Sequence, residues 1–268
     1  MRQESAFDER VPTLSSTVVG SGPRLVFVHG FTQTGRSWGP VAQELAKSYE
    51  VTTIDLPGHG ASANVNAADL DEAGRLVAIT GGPGTYVGYS MGGRVALHAA
   101  FADPGVVERL VLVGTSPGIH DNDERAARLD SDMSLADRLD GSSNEQLTLD
   151  EFLSQWLSQP LFSHLEPSVA GLDARRQNTT AGLARALRTL GTGTQRYDPE
   201  RLVALEMPVL ILAGERDERY VTVGRELAEL IGKNARFESL NGVGHAAPFE
   251  DPIGFASSIE SWLVETQP

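Results

Sequence analysis

Short runs of consecutive apolar or β-branched residues punctuate the chain: Leu25-Val26-Phe27-Val28, Val51-Thr52-Thr53-Ile54, Leu110-Val111-Leu112-Val113 and Val209-Leu210-Ile211-Leu212-Ala213. Runs of strand length with no polar alternation predict strands buried on both faces, as in a parallel sheet. Residues 16–19, 85–87 and 235–240 predict further strands, the first ended by Gly20-Ser21-Gly22-Pro23. Between these runs apolar residues recur at helical spacing. Trp38, Val41, Ala42 and Leu45 predict a helix over 38–47, and Leu70, Ala73, Leu76 and Val77 one over 67–79. Helices are also predicted over 93–100, 221–231 and 253–264. From Ile119 to about Gly193 the β-branched residues thin out, and charged amphipathic segments at 124–139, 149–157 and 181–190 predict a helical block. Strand–helix alternation on both sides of such a block predicts an α/β fold: a mostly parallel central sheet flanked by helices, with a helical cap inserted after the strand that follows the 93–100 helix. The expected division is a core of residues 1–117 and 196–268 and a cap of 118–195. Residues 1–14 are polar and acidic and read as a loose leader without a signal-peptide core.

Charge narrows what such a domain can bind. The net charge of −14 argues against nucleic acid and anionic membranes as partners. A site for an anionic substrate must therefore gather its own cations, and these are almost all arginine, since Lys47 and Lys233 are the only lysines. With no cysteine, disulfides, thiolate metal sites and cysteine nucleophiles are excluded. The histidines, His29, His59, His98, His120, His164 and His245, show no paired metal-ligand spacing on one element; His29 and His59 read as loop braces. No run approaches the roughly 20 apolar residues of a membrane span. The expectation is a soluble cytoplasmic protein, a monomer or small homo-oligomer.

The chemistry concentrates at Gly88-Tyr89-Ser90-Met91-Gly92, between a predicted strand and a predicted helix. A serine at the apex of a sharp strand-to-helix turn needs small residues two before and two after it, and the helix N-terminus beyond favours negative charge. The glycine run Gly81-Gly82-Pro83-Gly84 is not a phosphate loop, because it precedes a strand, whereas a phosphate cradle follows one and opens a helix. A serine needs an imidazole to take its proton and an acid to orient that imidazole. Asp217, just past the 209–214 strand, and His245, on the loop before the last helix, supply both. Asp217 alone also reads as a helix N-cap, Glu215 competes for the acid role, and His245 alone reads as a solvated loop histidine. The backbone N–H groups of Met91 and Phe31 are the expected oxyanion donors. Arg94 lies one helical turn after Ser90, where an arginine is costly to bury without an anion; that anion is either a substrate or a protein carboxylate. Glu124 with Arg128, and Asp121 with Arg125, are i, i+4 pairs, for which a solvated, salt-bridged helix face is the simpler reading.

The motifs Val28-His29-Gly30-Phe31, Asp55-Leu56-Pro57-Gly58-His59-Gly60, the serine turn and Gly244-His245 resemble those of the α/β-hydrolases over essentially the whole chain. That resemblance implies the fold and the Ser90, Asp217, His245 order, but not the substrate. Five segments resemble a narrower group: Gly88-Tyr89-Ser90-Met91-Gly92-Gly93-Arg94, Glu124-Arg125-Ala126-Ala127-Arg128, Trp156-Leu157-Ser158-Gln159-Pro160-Leu161-Phe162, Arg176-Gln177-Asn178 and Gly214-Glu215-Arg216-Asp217. Together they are similar to the 2-succinyl-6-hydroxy-2,4-cyclohexadiene-1-carboxylate (SHCHC) synthases of menaquinone biosynthesis. The resemblance implies a lyase that eliminates pyruvate from a small tricarboxylate, with the triad as base and no cofactor. It implies substrate contacts at Arg94, Arg128, Arg176, Trp156 and Tyr89. Read from the residues alone, Trp156 is equally cap core, Tyr89 is equally a packing residue, and Arg175 beside Arg176 leaves the register of the cap arginine open by one. A serine hydrolase, either a carboxylesterase or a C–C bond hydrolase of ring-cleavage products, would use the same triad. An idle ligand receptor on the fold is the third class, against which the intact triad argues.

Overall fold

Seven strands, β1 (Ser16–Gly20), β2 (Arg24–Val28), β3 (Glu50–Ile54), β4 (Gly84–Tyr89), β5 (Val107–Val113), β6 (Val209–Gly214) and β7 (Ala235–Leu240), form one sheet in the order β1-β3-β2-β4-β5-β6-β7. The computed structural model describes residues 13–266. The leader expected over residues 1–14 lies outside the described residues up to position 12, and Leu14 at its end is buried. Every strand pair is parallel except β1 with β3, which run antiparallel with Ser16 opposite Ile54. The apolar runs of β2, β4 and β6 are almost wholly buried, as two covered faces require, whereas β1 is exposed along its length as an edge strand.

Helices α1 (Gly39–Leu45), α2 (Leu70–Gly81) and α3 (Met91–Ala102) follow β2, β3 and β4. The insertion between β5 and β6 carries α4 (Asn122–Asp140), α5 (Leu149–Leu157), α6 (Leu172–Arg175), α7 (Thr180–Leu190) and the short α8 (Pro199–Val203). Helix α9 (Glu218–Ile231) follows β6, and α10 (Ala247–Glu250) and α11 (Pro252–Glu265) follow β7. One face of the sheet packs on α2, α3 and α9 through Leu76, Val95, Leu97 and Leu227; the other packs on α1 and α11 through Trp38, Leu45, Phe255 and Ile259. A third cluster lies within the insertion, where Ala136, Leu139, Phe152, Leu153, Leu183 and Leu187 join α4, α5 and α7. Ile119 and Arg196 pair as an isolated parallel bridge where the chain leaves and rejoins the core.

The differences from the sequence reading lie at element ends, and caps explain them. The helix expected from residue 67 starts at Leu70 because the Asp69 carboxylate accepts the Glu72 N–H at 2.9 Å. The helix expected from 38 opens as a 3₁₀ turn at Gly35–Trp38 before α1. Helix α9 begins three residues earlier than expected because Asp217 caps it. The short helices α6, α8 and α10 are below the length at which apolar periodicity carries a signal.

Candidate active site

Ser90 sits between β4 and α3 with φ +52° and ψ −113°, a strained conformation for a residue with a side chain. Four hydrogen bonds to its backbone over-determine it. Its N–H donates to the Val113 carbonyl at 2.8 Å, and its own carbonyl accepts from Thr115 Oγ1 at 2.8 Å, from the Gly93 N–H at 3.0 Å and from the Arg94 N–H at 3.3 Å. The flanking glycines are required for space: a Cβ on Gly92 would collide with the Val28 and His29 carbonyls, and one on Gly88 with Gly92 and Gly93. The turn can therefore form only where β4 lies directly beside β2 and β5.

His245 is 3% exposed, and its Nδ1–H donates to Asp217 Oδ2 at 2.6 Å. That partner keeps the proton on Nδ1 and leaves Nε2 as the acceptor, 3.4 Å from Ser90 Oγ. Asp217 fills both roles read for it, since its other oxygen accepts the Tyr220 N–H at 3.4 Å as the cap of α9. Glu215, the competing acid, points elsewhere: its carboxylate accepts the Gly242 N–H at 2.9 Å. Glu250 holds the other side of the histidine loop, accepting the Gly244 N–H at 2.7 Å and the Ala246 N–H at 3.1 Å. The Tyr220 ring, 4.8 Å from the imidazole between centroids, completes the packing around His245.

Met91 is the first residue of α3, so its N–H has no acceptor within the helix. Phe31 lies in the turn after β2, which is itself strained. Thr32, a β-branched residue, holds φ +68° while fully buried. Two residues of the insertion hold it: Asn178 Nδ2 donates to the Thr32 carbonyl at 2.7 Å, and Arg175 Nη1 donates to Thr32 Oγ1. Asn178 Oδ1 also accepts the Gly60 N–H at 2.9 Å, so one side chain ties the turns after β2 and β3 to the insertion. His29 and His59 are buried beneath them. His29 Nε2 accepts the Leu56 N–H at 3.0 Å, and burial pushes the pKa of His29 down to about 4 and that of His59 to about 3.

A cavity of about 460 Å³ opens beside Ser90, Phe31 and Met91 and is roofed by α4, Trp156 and Gln159. Arg94 lines it and is buried, with Nη2 donating to the Leu190 carbonyl at 2.7 Å and Nε without a partner. No carboxylate pairs with it among the described residues, and burial, with Arg128 nearby, pushes its pKa down to about 10. Arg128 also lines the cavity, but its acid is Asp132 at 2.8 Å rather than Glu124, which turns towards Arg219. Trp156 is both wall and core: it lines the cavity with its indole N–H unpaired while packing edge-on against Phe31 at 5.0 Å.

Two of the expected contact residues lie outside the lining of this cavity. Arg176 is half exposed on the outer surface, paired with Asp150 at 2.8 Å, and does not line this cavity. The inward-facing residue is Arg175, 2% exposed, which is spent on Thr32 and the Ala170 carbonyl. Arg176 caps the C-terminus of α6 one residue on, about 100° further round the helical turn, so it points away from Arg175. Tyr89 is buried between His245 and Phe249 and is not among the lining residues. Arg138 and Tyr220 line the cavity without having been picked out in the sequence. Arg138 stands at helical spacing from Arg128 through Ser131 and Leu135, but no apolar contrast along the helix marks that face in the sequence.

A seven-stranded sheet with a serine on a strained strand-to-helix turn, and with His245 and Asp217 arriving from later strands, defines an alpha/beta hydrolase. The alpha/beta hydrolase family model matches residues 25–258. SHCHC synthase of Salmonella newport is 35% identical over 251 residues, covering 90% of this chain and 94% of its own, and that of Enterobacter sp. (strain 638) is 33% identical over 250 residues, covering 90% and 92%. The solved structure of MenH from S. aureus superposes with a TM-score of 0.83 at 31% identity, over 94% of this chain and 99% of its own. The chain belongs to the alpha/beta hydrolase family, in the group formed by these synthases.

Proposed function

We infer that the protein is an SHCHC synthase, a carbon–oxygen lyase that eliminates pyruvate from 2-succinyl-5-enolpyruvyl-6-hydroxy-3-cyclohexene-1-carboxylate. The observation that carries this reading over a plain esterase is Arg94, a buried guanidinium without a carboxylate partner in the same cavity as Ser90. An ester pocket would be apolar there, whereas a tricarboxylate needs cations. The lining residues carry three arginines against Asp132 alone, in a chain of net charge −14.

In the proposed mechanism, His245, oriented by Asp217, takes the Ser90 proton, and Ser90 acts as a base rather than an attacker. Ser90 removes the ring proton next to the succinyl ketone, and the bonding pair moves into the ketone as an enolate. The Met91 and Phe31 N–H groups stabilise that oxyanion, a contribution of about a hundredfold to a thousandfold in rate per donor. Collapse of the enolate pushes electrons through the existing ring double bond, which shifts to give two conjugated ring double bonds as the C–O bond to the enolpyruvyl group breaks. The enolpyruvate leaving group takes up the proton and departs as pyruvate. Arg94 and Arg128 hold carboxylates so that the reacting C–H faces Ser90. Residues 118–195 act as the cap over this site, and the substrate is a small anion handled without a cofactor, in the cytoplasm.

Pyruvate release from the named substrate, measured with wild type and Ser90→Ala, tests the reading. Wild type should release pyruvate and the variant should lose at least about a thousandfold in kcat. Full activity in Ser90→Ala removes the serine base. A burst with an activated ester, without pyruvate release from the tricarboxylate, gives the site to an esterase.

A further inference from the structure

Arg138 lines the active-site cavity, yet neither the motifs nor the mechanism uses it. It lies on α4 ten residues after Arg128, about 15 Å further along the axis at 1.5 Å per residue. Between them Ser131 and Leu135 line the same cavity, at the three- and four-residue spacing of one helix face. The two arginines thus stand at opposite ends of one wall, and Arg94 is near the Arg128 end, where the two charges repel.

Among the described residues the Arg138 side chain has no strong partner. Its Nε is buried without an acceptor, Nη2 reaches only Gln155 Oε1 at 3.4 Å, and its nearest carboxylate, Glu145, is 3.8 Å away and 79% exposed. At such a distance and exposure the pair contributes little. Arg128, by contrast, is matched to Asp132 at 2.8 Å, and the two neighbouring arginines of the insertion are committed elsewhere, Arg175 to Thr32 and Arg176 to Asp150. Arg138 is therefore the lining cation with the most free hydrogen-bonding capacity at the far end of the cavity.

We propose that Arg138 is the subsite for the terminal carboxylate of the substrate's succinyl arm. This rests on the reaction proposed above. Two of the three carboxylates are attached close to the reacting carbons and so belong near Ser90, Arg94 and Arg128. The third hangs on two methylenes, which reach away from the ring. Leu135, one turn before Arg138, and Leu161 give those methylenes apolar walls. Arg138 then sets specificity for a carboxylated side arm, while the chemistry at Ser90 is indifferent to it.

Steady-state pyruvate release tests this with wild type, Arg138→Met and Arg138→Lys, each on the natural substrate and on an analogue whose succinyl carboxylate is a methyl ester. Loss of one charge-assisted contact should raise KM about 10- to 100-fold in Arg138→Met with kcat within about threefold. Arg138→Lys should recover part of the loss. Wild type should show the same KM increase on the ester analogue, and Arg138→Met should show little further increase. A natural-substrate KM unchanged in Arg138→Met overturns the subsite while leaving the reaction intact. So does an analogue penalty that adds in full to that of the variant, since a merely structural arginine would behave that way. If wild type releases no pyruvate at all, the reaction itself is wrong and the subsite falls with it.

Discussion

Replacing Arg94 by methionine should remove activity while leaving the fold as stable or making it more so. The guanidinium is buried with Nε unpaired, and burial lowers its pKa from the ordinary arginine value to about 10. At about 1.4 kcal/mol per pKa unit, holding the charge in that environment costs the folded state about 3 kcal/mol. The folded value lies below the unfolded one, so this cost is complete at every pH under about 10 and is relieved only above it. Methionine keeps much of the stem's packing and removes the charge. Against that gain stands the Leu190 carbonyl, which loses its 2.7 Å donor, and an orphaned buried acceptor costs about 1–3 kcal/mol. The net expectation is a stability change between zero and a gain of about 2 kcal/mol, which for a chain of this size raises Tm by up to about 6 °C. Activity should move the other way, because a buried cation that meets a substrate carboxylate contributes about 2–5 kcal/mol and its loss lowers kcat/KM by roughly a hundredfold or more. Thermal melts and the pyruvate assay on one preparation read both quantities. A variant destabilised by more than about 2 kcal/mol with kcat/KM nearly intact would refute the argument, since that is how an arginine serving the fold behaves.

The turn after β2 should depend on Asn178. Asn178→Ala leaves the Thr32 carbonyl and the Gly60 N–H unpaired in the interior, about 1–3 kcal/mol each, and should lower kcat more than it raises KM because the Phe31 N–H shifts with Thr32. Asn178→Asp keeps the acceptor for Gly60 and loses the donor to Thr32, so it should show the kcat loss with a smaller loss in Tm; equal kcat in all three proteins would exclude the coupling. Acid should destabilise the fold through His29 and His59, whose pKa values of about 4 and about 3 lie below the ordinary 6.5. The unfolded chain takes up protons first, so their contribution is whole above pH 6.5 and is lost as pH falls towards those values, by about 2 kcal/mol per histidine at pH 5. Melts at pH 7 and pH 5 check this, and His59→Gln should show about half the decline; a Tm that does not change between the two pH values rules it out.

The parallel sheet was legible because a strand segment buried on both faces is apolar throughout, as residues 25–28 of β2, 110–113 of β5 and 209–214 of β6 are. The serine turn was legible for a steric reason: a side chain at Gly92 would meet the Val28 and His29 carbonyls and one at Gly88 the backbone of Gly92 and Gly93, so both glycines had to be written into the chain. The order of Ser90, Asp217 and His245 followed from strand ends, which the sequence marks by itself. Which charges of the insertion face inward was not legible. Helix α4 carries ionised residues around most of its circumference, so no polar–apolar contrast tells Arg128 and Arg138 from Arg125. The packing of α4 against α7, 40 or more residues away, decides it. The same holds for Arg175 and Arg176, adjacent in sequence and opposite in direction, because α6 is too short to carry a periodic signal. Sequence determined the strands, the strained turn and the triad's order, all set by local sterics and burial. Tertiary structure alone decided which arginines of the insertion line the cavity, because a charge is placed by what its distant neighbours leave unpaired.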